Sequence, residues 1–212
     1  MSLQKPKLLL HICCAPCSTA VIERLKDKFE ITGYFYDPNI HPEEEYMRRL
    51  GEAKELYNKI GIPLIEAQYD AEIWFKLTEN LKQELEGGKR CKVCYDMRLE
   101  KAAEFAKENG FDIFTTVLSI SPHKKASVIN SIGRGLSEKY GIKFYEADFK
   151  KKDGFKRSLE LSRKYNLYRQ DYCGCIYSKL LFLLLALLHL FQDIIQILLA
   201  LFPFLAADFL YL

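Results

Sequence analysis

The stretch LLLHICCAPC (residues 8–17) joins an apolar run to three of the chain's seven cysteines. The run Leu8–Leu10 predicts a buried β-strand, and the cysteines follow at its end. The other four cysteines form two more groups, Cys91-Lys-Val-Cys94 and Cys173-Gly-Cys175. Because no cysteine lies outside the three groups, we expect the fold to bring them to one place.

Strand-like and helical patterns alternate along the chain. Predicted strands cover residues 7–11, 31–36, 62–67, 111–118 and 142–147. Predicted helices cover residues 18–28, 42–60, 71–85, 91–109, 124–140 and 153–165. This alternation predicts an α/β fold with a parallel five-stranded sheet and helices on both faces. Ligands of such sheets bind at the carboxyl ends of the strands, and the first cysteine loop leaves its strand at that end.

The charge balance is mildly basic, with a formal net charge of +3. Residues 1–179 contain all 31 Lys and Arg and 26 of the 28 acidic residues, a net charge of +5 that suits a polyanionic partner. The N-terminus shows no cleavage pattern of a signal peptide, so we expect a cytoplasmic location. In that reducing compartment, clustered cysteines are typical of metal ligands or catalytic thiols rather than of structural disulfides.

Residues 180–212 differ from the rest because they are nearly all apolar. They predict an apolar helical tail after a catalytic domain at residues 1–179. Three interpretations stay open for the tail: packing on the body or on a second subunit of an oligomer, contact with a membrane, or sequence that is not native. Gln192-Asp193 and Pro203 interrupt the run of about 20 apolar residues that a membrane-spanning helix needs, which argues against the membrane.

Cys91 and Cys94 are three residues apart at the start of a predicted helix, so their thiols point the same way. The helix N-terminus and the neighbouring Lys89, Arg90 and Lys92 favour thiolates there. A single pair of this kind is typical of a thioredoxin-like redox site or of half a zinc site.

The other two cysteine groups indicate more than one metal centre. Cys13-Cys14 are adjacent in an extended loop and point to different sides, so they can bind two metals. Gly174 allows a tight turn between Cys173 and Cys175. Seven thiols exceed the four that one zinc ion or one [4Fe–4S] cluster needs. Four plus three thiols therefore predict an iron–sulfur cluster, preferred over zinc, beside a second metal.

Polar residues near predicted strand ends add further candidates. Asp37 and Tyr36 lie where an acid or a hydroxyl could donate a proton, although Asp37 equally suits an Asx turn. His11 and His41 suit either metal ligands or buried histidines that bond the backbone. Ser119–Lys125 ends a strand and begins a helix, which suits a phosphate or a ribose as well as a plain Ser-Pro helix start.

A basic region with interleaved aromatic residues runs from Lys150 to Arg169. Such a surface suits nucleic acid, although charge runs are usually solvated faces. The chain carries no Walker-type or dinucleotide-binding glycine motif. Cysteines fill the first loop, where ATP-pyrophosphatase-type enzymes carry a phosphate-binding loop, and this argues against an ordinary nucleotide hydrolase.

Five stretches together resemble the cobalamin-independent epoxyqueuosine reductase family, and they span nearly all of residues 1–179. They are HICCAPCS (11–18), YDPNIHP (36–42) with Glu45-Tyr46, RCKVCYDMRL (90–99), TTVLSISPHK (115–124) and YRQDYCGC (168–175). The resemblance implies an adenine-nucleotide-hydrolase-like, Rossmann-like α/β layer. Residues 180–212 have no counterpart in the family pattern.

The resemblance also implies the last step of queuosine biosynthesis, in which epoxyqueuosine in the tRNA anticodon loop is deoxygenated to queuosine. The implied cofactors are a [4Fe–4S] cluster and a second metal, expected to be iron. The implied partners are tRNA and an unidentified electron donor. Two alternatives stay open: another iron–sulfur tRNA-modifying enzyme such as a thiolase, and a non-catalytic, zinc-stabilised RNA-binding module.

Roles for individual residues follow from the resemblance. The expected cluster ligands are Cys91, Cys94, Cys173 and one of Cys13 and Cys14. The expected ligands of the second metal are Cys17, Cys175 and the other of Cys13 and Cys14. Asp37 and Tyr36 are the expected catalytic acids, and His11 is expected to support the ligands from behind. The expected substrate-binding residues, with phosphates held by the cations among them, are Asn39, His41, Arg90, Ser119, Ser121, Lys124, Arg134, Arg169 and Gln170.

Overall fold

The computed structural model describes residues 4–201 of the chain. Its strands are β1 Lys7–Ile12, β2 Glu30–Phe35, β3 Leu64–Glu66, β4 Ile113–Thr116 and β5 Lys143–Phe144. Its α-helices are α1 Ala15–Leu25, α2 Glu43–Ile60, α3 Ala71–Thr78, α4 Lys89–Glu108, α5 Ala126–Tyr140, α6 Gly154–Lys164 and α7 Ile176–Leu201. Short 3₁₀ segments follow α3 at Glu79–Leu81 and β4 at Val117–Ile120.

The five strands form one parallel sheet in the order β3-β2-β1-β4-β5. The chain builds outward from β1 through β2 and β3, then crosses over to add β4 and β5 on the other side of β1. The direction of building therefore reverses between β1 and β4, and a crevice opens at their carboxyl ends. This topology confirms the predicted α/β fold.

Strand β1 is the buried centre of the sheet, and its two faces belong to different apolar cores. Leu8, Leu10 and Ile12 pack in the core that contains α1, α2 and α6. Leu9 packs in the opposite core with Leu99 of α4 and other apolar residues of α4 and α5. Because β1 is apolar on both faces, helices must cover both sides of the sheet.

The ends of helix α2 follow the rules that the sequence suggested. Three acids, Glu43–Glu45, occupy its first turn, where they interact favourably with the positive end of the helix dipole. Gly61 ends it in the left-handed conformation at φ +68°, which glycine adopts without steric cost.

Helix α1 begins three residues earlier than predicted, at Ala15 rather than at Ser18. Pro16 lies in its first turn, where the missing N–H group of proline costs no hydrogen bond. Ser18 is inside the helix and its hydroxyl donates to the Ala15 carbonyl at 2.8 Å. Cys17 is therefore fixed by a helical turn and not by a loop.

The apolar tail begins as helix α7, which runs through the predicted boundary at residue 180 and through Gln192-Asp193. Many of its apolar side chains are exposed, among them Leu183, Leu187 and Phe191. None of the helices within residues 4–201 combines the length and the apolar character that a bilayer crossing requires. Pro203 and the rest of the predicted tail lie outside the described residues.

Candidate metal centre

A cavity of about 300 Å³ opens at the carboxyl ends of β1 and β4. Three cysteines from two separate groups, Cys13, Cys17 and Cys173, contribute to its wall. The rest of the wall combines cations, aromatic rings and small polar groups: Glu86, Arg98, Val117, Leu118, Ser121, Pro122, His123, Lys124, Phe155, Arg169, Gln170, Asp171 and Tyr172.

The first cysteine group forms a compact set of thiols. The Sγ atoms of Cys13, Cys14 and Cys17 all lie within 4.8 Å of one another. Cys14 is the extended N-cap residue of α1, and Cys17 lies in the first turn of that helix. Gln170 donates its Nε2–H to Cys14 Sγ at 3.2 Å. Hydrogen bonds from Cys13 and Cys17 hold the pKa of the Cys14 thiol well below its usual value, while the same contacts raise the pKa of Cys13 and of Cys17, so Cys14 is the thiolate of the three.

Cys91 lies in the first turn of α4 as predicted, while Cys94 lies in the second turn because the helix already begins at Lys89, and neither thiol is acidified. Burial raises the pKa of Cys94 to about 12 and also raises the pKa of Cys91. The expected effect of the helix N-terminus is therefore outweighed, because removing a thiolate from water costs more than the helix dipole returns. Two N–H groups offset part of this cost: the Gly87 amide lies 3.2 Å from Cys91 Sγ, and Arg98 Nη1 lies 4.0 Å from Cys94 Sγ.

The third group lies in a segment without strand or helix, residues 166–175, between α6 and α7. Arg49 donates from Nη1 to the Cys173 carbonyl at 3.1 Å and from Nη2 to the Tyr172 carbonyl at 3.2 Å. The His41 amide donates to the Gly174 carbonyl at 2.8 Å, and the Tyr172 hydroxyl donates to the His41 carbonyl. These bonds attach the segment to α2 and to the loop after β2.

Gly174 is required at its position. Its φ of +126° is disfavoured for residues that carry a Cβ, and a Cβ atom there would lie 3.1 Å from Ile40 and 3.2 Å from Arg49. The tight turn that the sequence suggested between Cys173 and Cys175 therefore depends on glycine.

The second and third groups pack together. Cys94 and Cys175 share an apolar cluster with the fully buried Trp74. The charge of Cys173 raises the pKa of both Cys91 and Cys94, which places all four sulfurs in one neighbourhood. Since Cys173 also lines the cavity beside Cys13 and Cys17, the fold brings the three groups to one edge of the sheet.

The chemistry of this site fits a bound metal centre. All seven cysteines are free thiols, and thiolates are the ligands that zinc, copper(I) and iron–sulfur clusters prefer. Five buried polar atoms in the surrounding residues have no hydrogen-bond partner among the described residues: Asp37 Oδ2, Asn39 Oδ1, His41 Nε2, Trp74 Nε1 and Arg98 Nε. Buried polar groups without partners are rare in proteins, so their presence here indicates a site for an additional polar or charged group.

The model of the epoxyqueuosine reductase QueH family matches residues 8–180 of the chain. The chain belongs to this family. Epoxyqueuosine reductase QueH from Streptococcus pyogenes serotype M1 is 42% identical over 180 residues, covering 82% of this chain and 71% of that protein. The relative of the same name from Haemophilus influenzae is 46% identical over 174 residues, covering 81% and 71%. The Thermotoga maritima relative is 35% identical over 176 residues, covering 82% and 90%.

Family membership confirms the resemblance that the sequence indicated and the enzyme class, an oxidoreductase of the epoxyqueuosine reductase type. Among solved structures, the U34-tRNA thiolase NcsA from Methanococcus maripaludis, a protein with a [4Fe–4S] cluster, matches with a TM-score of 0.55 and 14% identity. The match covers 83% of this chain and 62% of the thiolase. At this identity the similarity shows a shared fold, which agrees with the predicted Rossmann-like layer.

Asp37, one of the two expected catalytic acids, is completely buried just after β2. Its Oδ1 is paired with Arg98 Nη2, and Arg98 in turn lines the cavity. Burial raises the pKa of Asp37 to about 7, and the positive charge of Arg98 opposes that shift. The hydroxyl of Tyr36 is directed elsewhere, since it donates to Asp70 Oδ2 at 2.9 Å.

The expected substrate-binding residues divide into two sets. Ser121, Lys124, Arg169 and Gln170 line the cavity. The remaining five have other contacts. Arg134 pairs with Glu146 at 2.6 Å on the surface, and Ser119 Oγ accepts from the Phe149 amide at 3.3 Å.

Arg90 is buried and donates to the carbonyls of Leu81, Lys82 and Glu84, so it fixes the segment before α4. The Nδ1 atom of His41 shares a hydrogen bond of 3.1 Å with the Tyr69 hydroxyl. Asn39 and His41 are both buried beside the third cysteine group rather than in the cavity wall.

His11 lies on β1 directly before the first cysteine group and is completely buried. Its Nδ1 is 2.8 Å from Thr116 Oγ1 and its Nε2 is 3.3 Å from the Tyr36 carbonyl. Burial, followed by the charge of Arg98, lowers the pKa of His11 to about 3, so the ring is neutral. It joins the ends of β1, β2 and β4 beneath the cysteines.

Three residues of the site were not identified from the sequence: Arg98, Arg49 and Trp74. Arg98 follows Cys94 by four residues on a helix, and Arg49 follows Glu45 by the same spacing, so both pairs share a helix face. That spacing is a usable signal for Arg98. Trp74 is recognisable only as the single tryptophan of the chain.

Proposed function

We propose that this chain reduces epoxyqueuosine in the anticodon loop of tRNA to queuosine. The reaction removes the epoxide oxygen as water and consumes two electrons and two protons. The observation that carries the proposal is that the three cysteine groups lie at one edge of the sheet, with Cys13, Cys17 and Cys173 in the wall of a cavity that cations also line. The two electrons come from an external electron donor.

The contacts favour a division of ligands that differs in part from the one that the resemblance implies. Cys91, Cys94, Cys173 and Cys175 influence one another and would hold a [4Fe–4S] cluster, which needs four thiolates. The mutually close Cys13, Cys14 and Cys17 would hold the second metal, proposed to be iron. When bound, the two centres supply single electrons and a Lewis acid for the epoxide oxygen.

The cavity walls suit a modified base that is extruded from the anticodon loop. Phe155 and Tyr172 present aromatic rings on which a base can stack. Lys124 is half-buried in the same wall, and nearby cysteine charges raise its pKa, so it stays protonated and attracts an anionic partner. Arg169 is exposed at the rim, where it can contact backbone phosphates.

Asp37 is the stronger of the two proposed proton donors. A carboxyl group with a pKa of about 7 is partly protonated at neutral pH and can give up that proton without a large free-energy cost. Tyr36 is disfavoured as a donor because burial, together with its hydrogen bond to Asp70, raises the pKa of its hydroxyl. Arg98 compensates the carboxylate that remains after Asp37 has lost its proton.

Anaerobic purification with metal analysis, a visible spectrum and a tRNA assay tests the proposal. We expect a brown protein that contains iron and sulfide and, given dithionite, converts epoxyqueuosine tRNA to queuosine tRNA. A colourless protein that contains zinc and no iron would refute it in favour of a zinc-stabilised RNA-binding module. A brown protein that leaves epoxyqueuosine tRNA unchanged would refute the substrate while retaining the cluster.

A matched pair of variants tests the proposed cavity. Lys124→Gln removes a cation from the wall, and we expect the KM for tRNA to rise about tenfold with iron content unchanged. Arg134→Gln removes a surface cation that is already paired with Glu146, and we expect wild-type kinetics. Equal effects of the two substitutions would contradict the assignment of the cavity to the substrate.

A further inference from the structure

Trp74 is the single tryptophan of the chain, and its side chain is completely buried. It lies on α3 and packs against Cys94 and Cys175, which come from α4 and from the segment before α7. An indole at this position contacts two of the three cysteine groups, although α3 contributes no cysteine itself.

Aromatic neighbours hold the indole in place. The ring centroid of His41 lies 5.0 Å away, that of Phe75 lies 5.3 Å away, and Tyr177 stacks at 5.8 Å. With these neighbours on several sides, the direction of the indole N–H group is fixed by packing.

The indole N–H group has no hydrogen-bond acceptor among the described residues. A buried donor without a partner costs free energy, and tryptophan usually finds a partner for this group. A niche filled by a smaller apolar side chain such as Phe, Leu or Met would avoid that cost. The presence of an N–H donor is therefore unexplained by packing alone.

Cys94 is the acceptor that the geometry offers. Trp74 and Cys94 are members of one small buried cluster, so a thiolate at Cys94 offers the indole N–H group an acceptor. Arg98 approaches the same sulfur from its own helix, with Nη1 at 4.0 Å. Cys94 thus lies beside two residues that carry N–H donors, Trp74 and Arg98.

We propose that Trp74 is a positioning and tuning residue whose indole N–H donates to the Cys94 thiolate and raises the reduction potential of the iron–sulfur cluster. The assignment rests on the proposed function, in which Cys94 is a cluster ligand. A cluster that accepts one electron gains negative charge, part of which resides on its sulfur ligands. An N–H donor stabilises that reduced state more than the oxidised state, because its attraction grows with the charge on sulfur.

A redox titration of the anaerobically prepared full-length protein tests the proposal. Trp74→Phe keeps an aromatic ring and removes the N–H group. We expect it to keep the iron and sulfide content of the wild type while its cluster becomes about tenfold harder to reduce, a shift of about 59 mV to more negative potential for one electron. Tyr177→Phe is the control, since it changes the ring stacked on Trp74 but no donor to sulfur, and we expect an unchanged midpoint potential.

Because the chain has one tryptophan, replacing tryptophan biosynthetically changes position 74 alone. Benzothienylalanine has nearly the shape of tryptophan and lacks the N–H donor, so it should lower the potential as Trp74→Phe does without leaving a cavity. Fluorinated tryptophan keeps the N–H donor, so it should change the equilibrium constant for reduction of the cluster by no more than a few-fold.

A benzothienylalanine protein with full iron content and a wild-type midpoint potential would overturn the proposal and leave the proposed function intact. Protein that binds no iron in any of these forms would refute the proposed cluster instead. Loss of iron only in Trp74→Phe, with a lowered potential in the benzothienylalanine protein, would still support the role of the N–H group, since the smaller ring leaves a cavity.

Discussion

The first and third cysteine groups reach the same cavity by different structural routes. Cys14 and Cys17 are fixed by the β1–α1 turn, which is part of the buried centre of the sheet. Cys173 lies in the irregular segment 166–175, whose position depends on hydrogen bonds from Arg49, His41 and Tyr172. The comparison shows that core packing positions one half of the site, while a set of polar contacts positions the other half.

The largest expected effect comes from removing a thiol of the first group. Cys14→Ser should abolish binding of the second metal and lower activity by about 100-fold or more, because even residues behind a ligand are worth about 10- to 100-fold. Iron analysis and the tRNA assay measure this effect. Ser18→Ala, one turn along α1, is the control and should retain iron. Retention of the full iron content by Cys14→Ser would contradict the division of ligands.

A slightly smaller effect is expected at Asp37, which neighbours both regions. Burial raises the pKa of Asp37, and the charge of Cys13 in the first group raises it further. The loop that follows Asp37 is bonded to the third group, because the His41 amide donates to the Gly174 carbonyl. If Asp37 supplies a proton, activity falls as the pH rises through about 7, because the protonated form is lost there. Asp37→Asn should lower activity by about 100-fold at pH 6 and remove that decline. A pH–rate profile checks both effects.

The same raised pKa affects stability with a definite sign. A carboxyl whose pKa is 3.8 in the unfolded chain and about 7 in the folded chain binds its proton more tightly when folded. The free energy of unfolding should therefore decrease as the pH rises from about 4 to about 7. Asp37→Asn should flatten this slope in urea unfolding of the apoprotein. An unchanged slope would show that Asp37 does not titrate in that range.

Substitution of Arg49 tests most directly whether polar contacts alone position the third cysteine group. Arg49→Lys keeps the charge but cannot bond Glu45 and the two carbonyls of Tyr172 and Cys173 together. We expect alkylation of Cys173 to become faster and iron content and activity to fall about tenfold, with the first group unaffected. Thiol labelling followed by peptide mass spectrometry distinguishes the groups.

Arg48→Lys provides the matched control for that experiment. Arg48 lies on the exposed side of α2 and stacks on the Tyr168 ring at 3.4 Å, so it contacts the same segment without bonding its carbonyls. Its replacement should leave the labelling rate of Cys173 close to the wild-type rate. Equal labelling of the two variants would mean that Arg49 does not position the third group.

The smallest expected effect is at Tyr172. Tyr172→Phe removes the hydroxyl that donates to the His41 carbonyl and keeps the ring in the cavity wall. We expect a loss of about 1 kcal/mol in the free energy of unfolding, the usual net contribution of one hydrogen bond. Urea denaturation measures it. Tyr165→Phe, at a hydroxyl without a hydrogen bond in the described part of the chain, should be neutral.

The sequence patterns predicted the parallel sheet and the approximate positions of most helices. They could do so because β1 is apolar on both faces, and alternating strands and helices bury both faces only when helices cover the two sides of the sheet. Boundaries were less accurate where one residue decides them, as Pro16 does for α1. The cysteine motifs and the family were also recognisable, since clustered thiols are rare without a metal. The acidity of Cys94 was predicted in the wrong direction, because helix position is visible in a sequence and burial is not.

The α/β fold, the three cysteine groups and the family to which the chain belongs follow from the amino-acid sequence. The folded chain was needed to learn which thiols are neighbours, which expected cations reach the cavity, and that Trp74 and Arg98 both lie beside Cys94. The physical reason is the range of the interactions. Periodicity and capping act within a few residues. Burial and charge depend on segments that are about 80 to 160 residues apart in the chain, as Cys94 is from Cys175 and Gln170 is from Cys14.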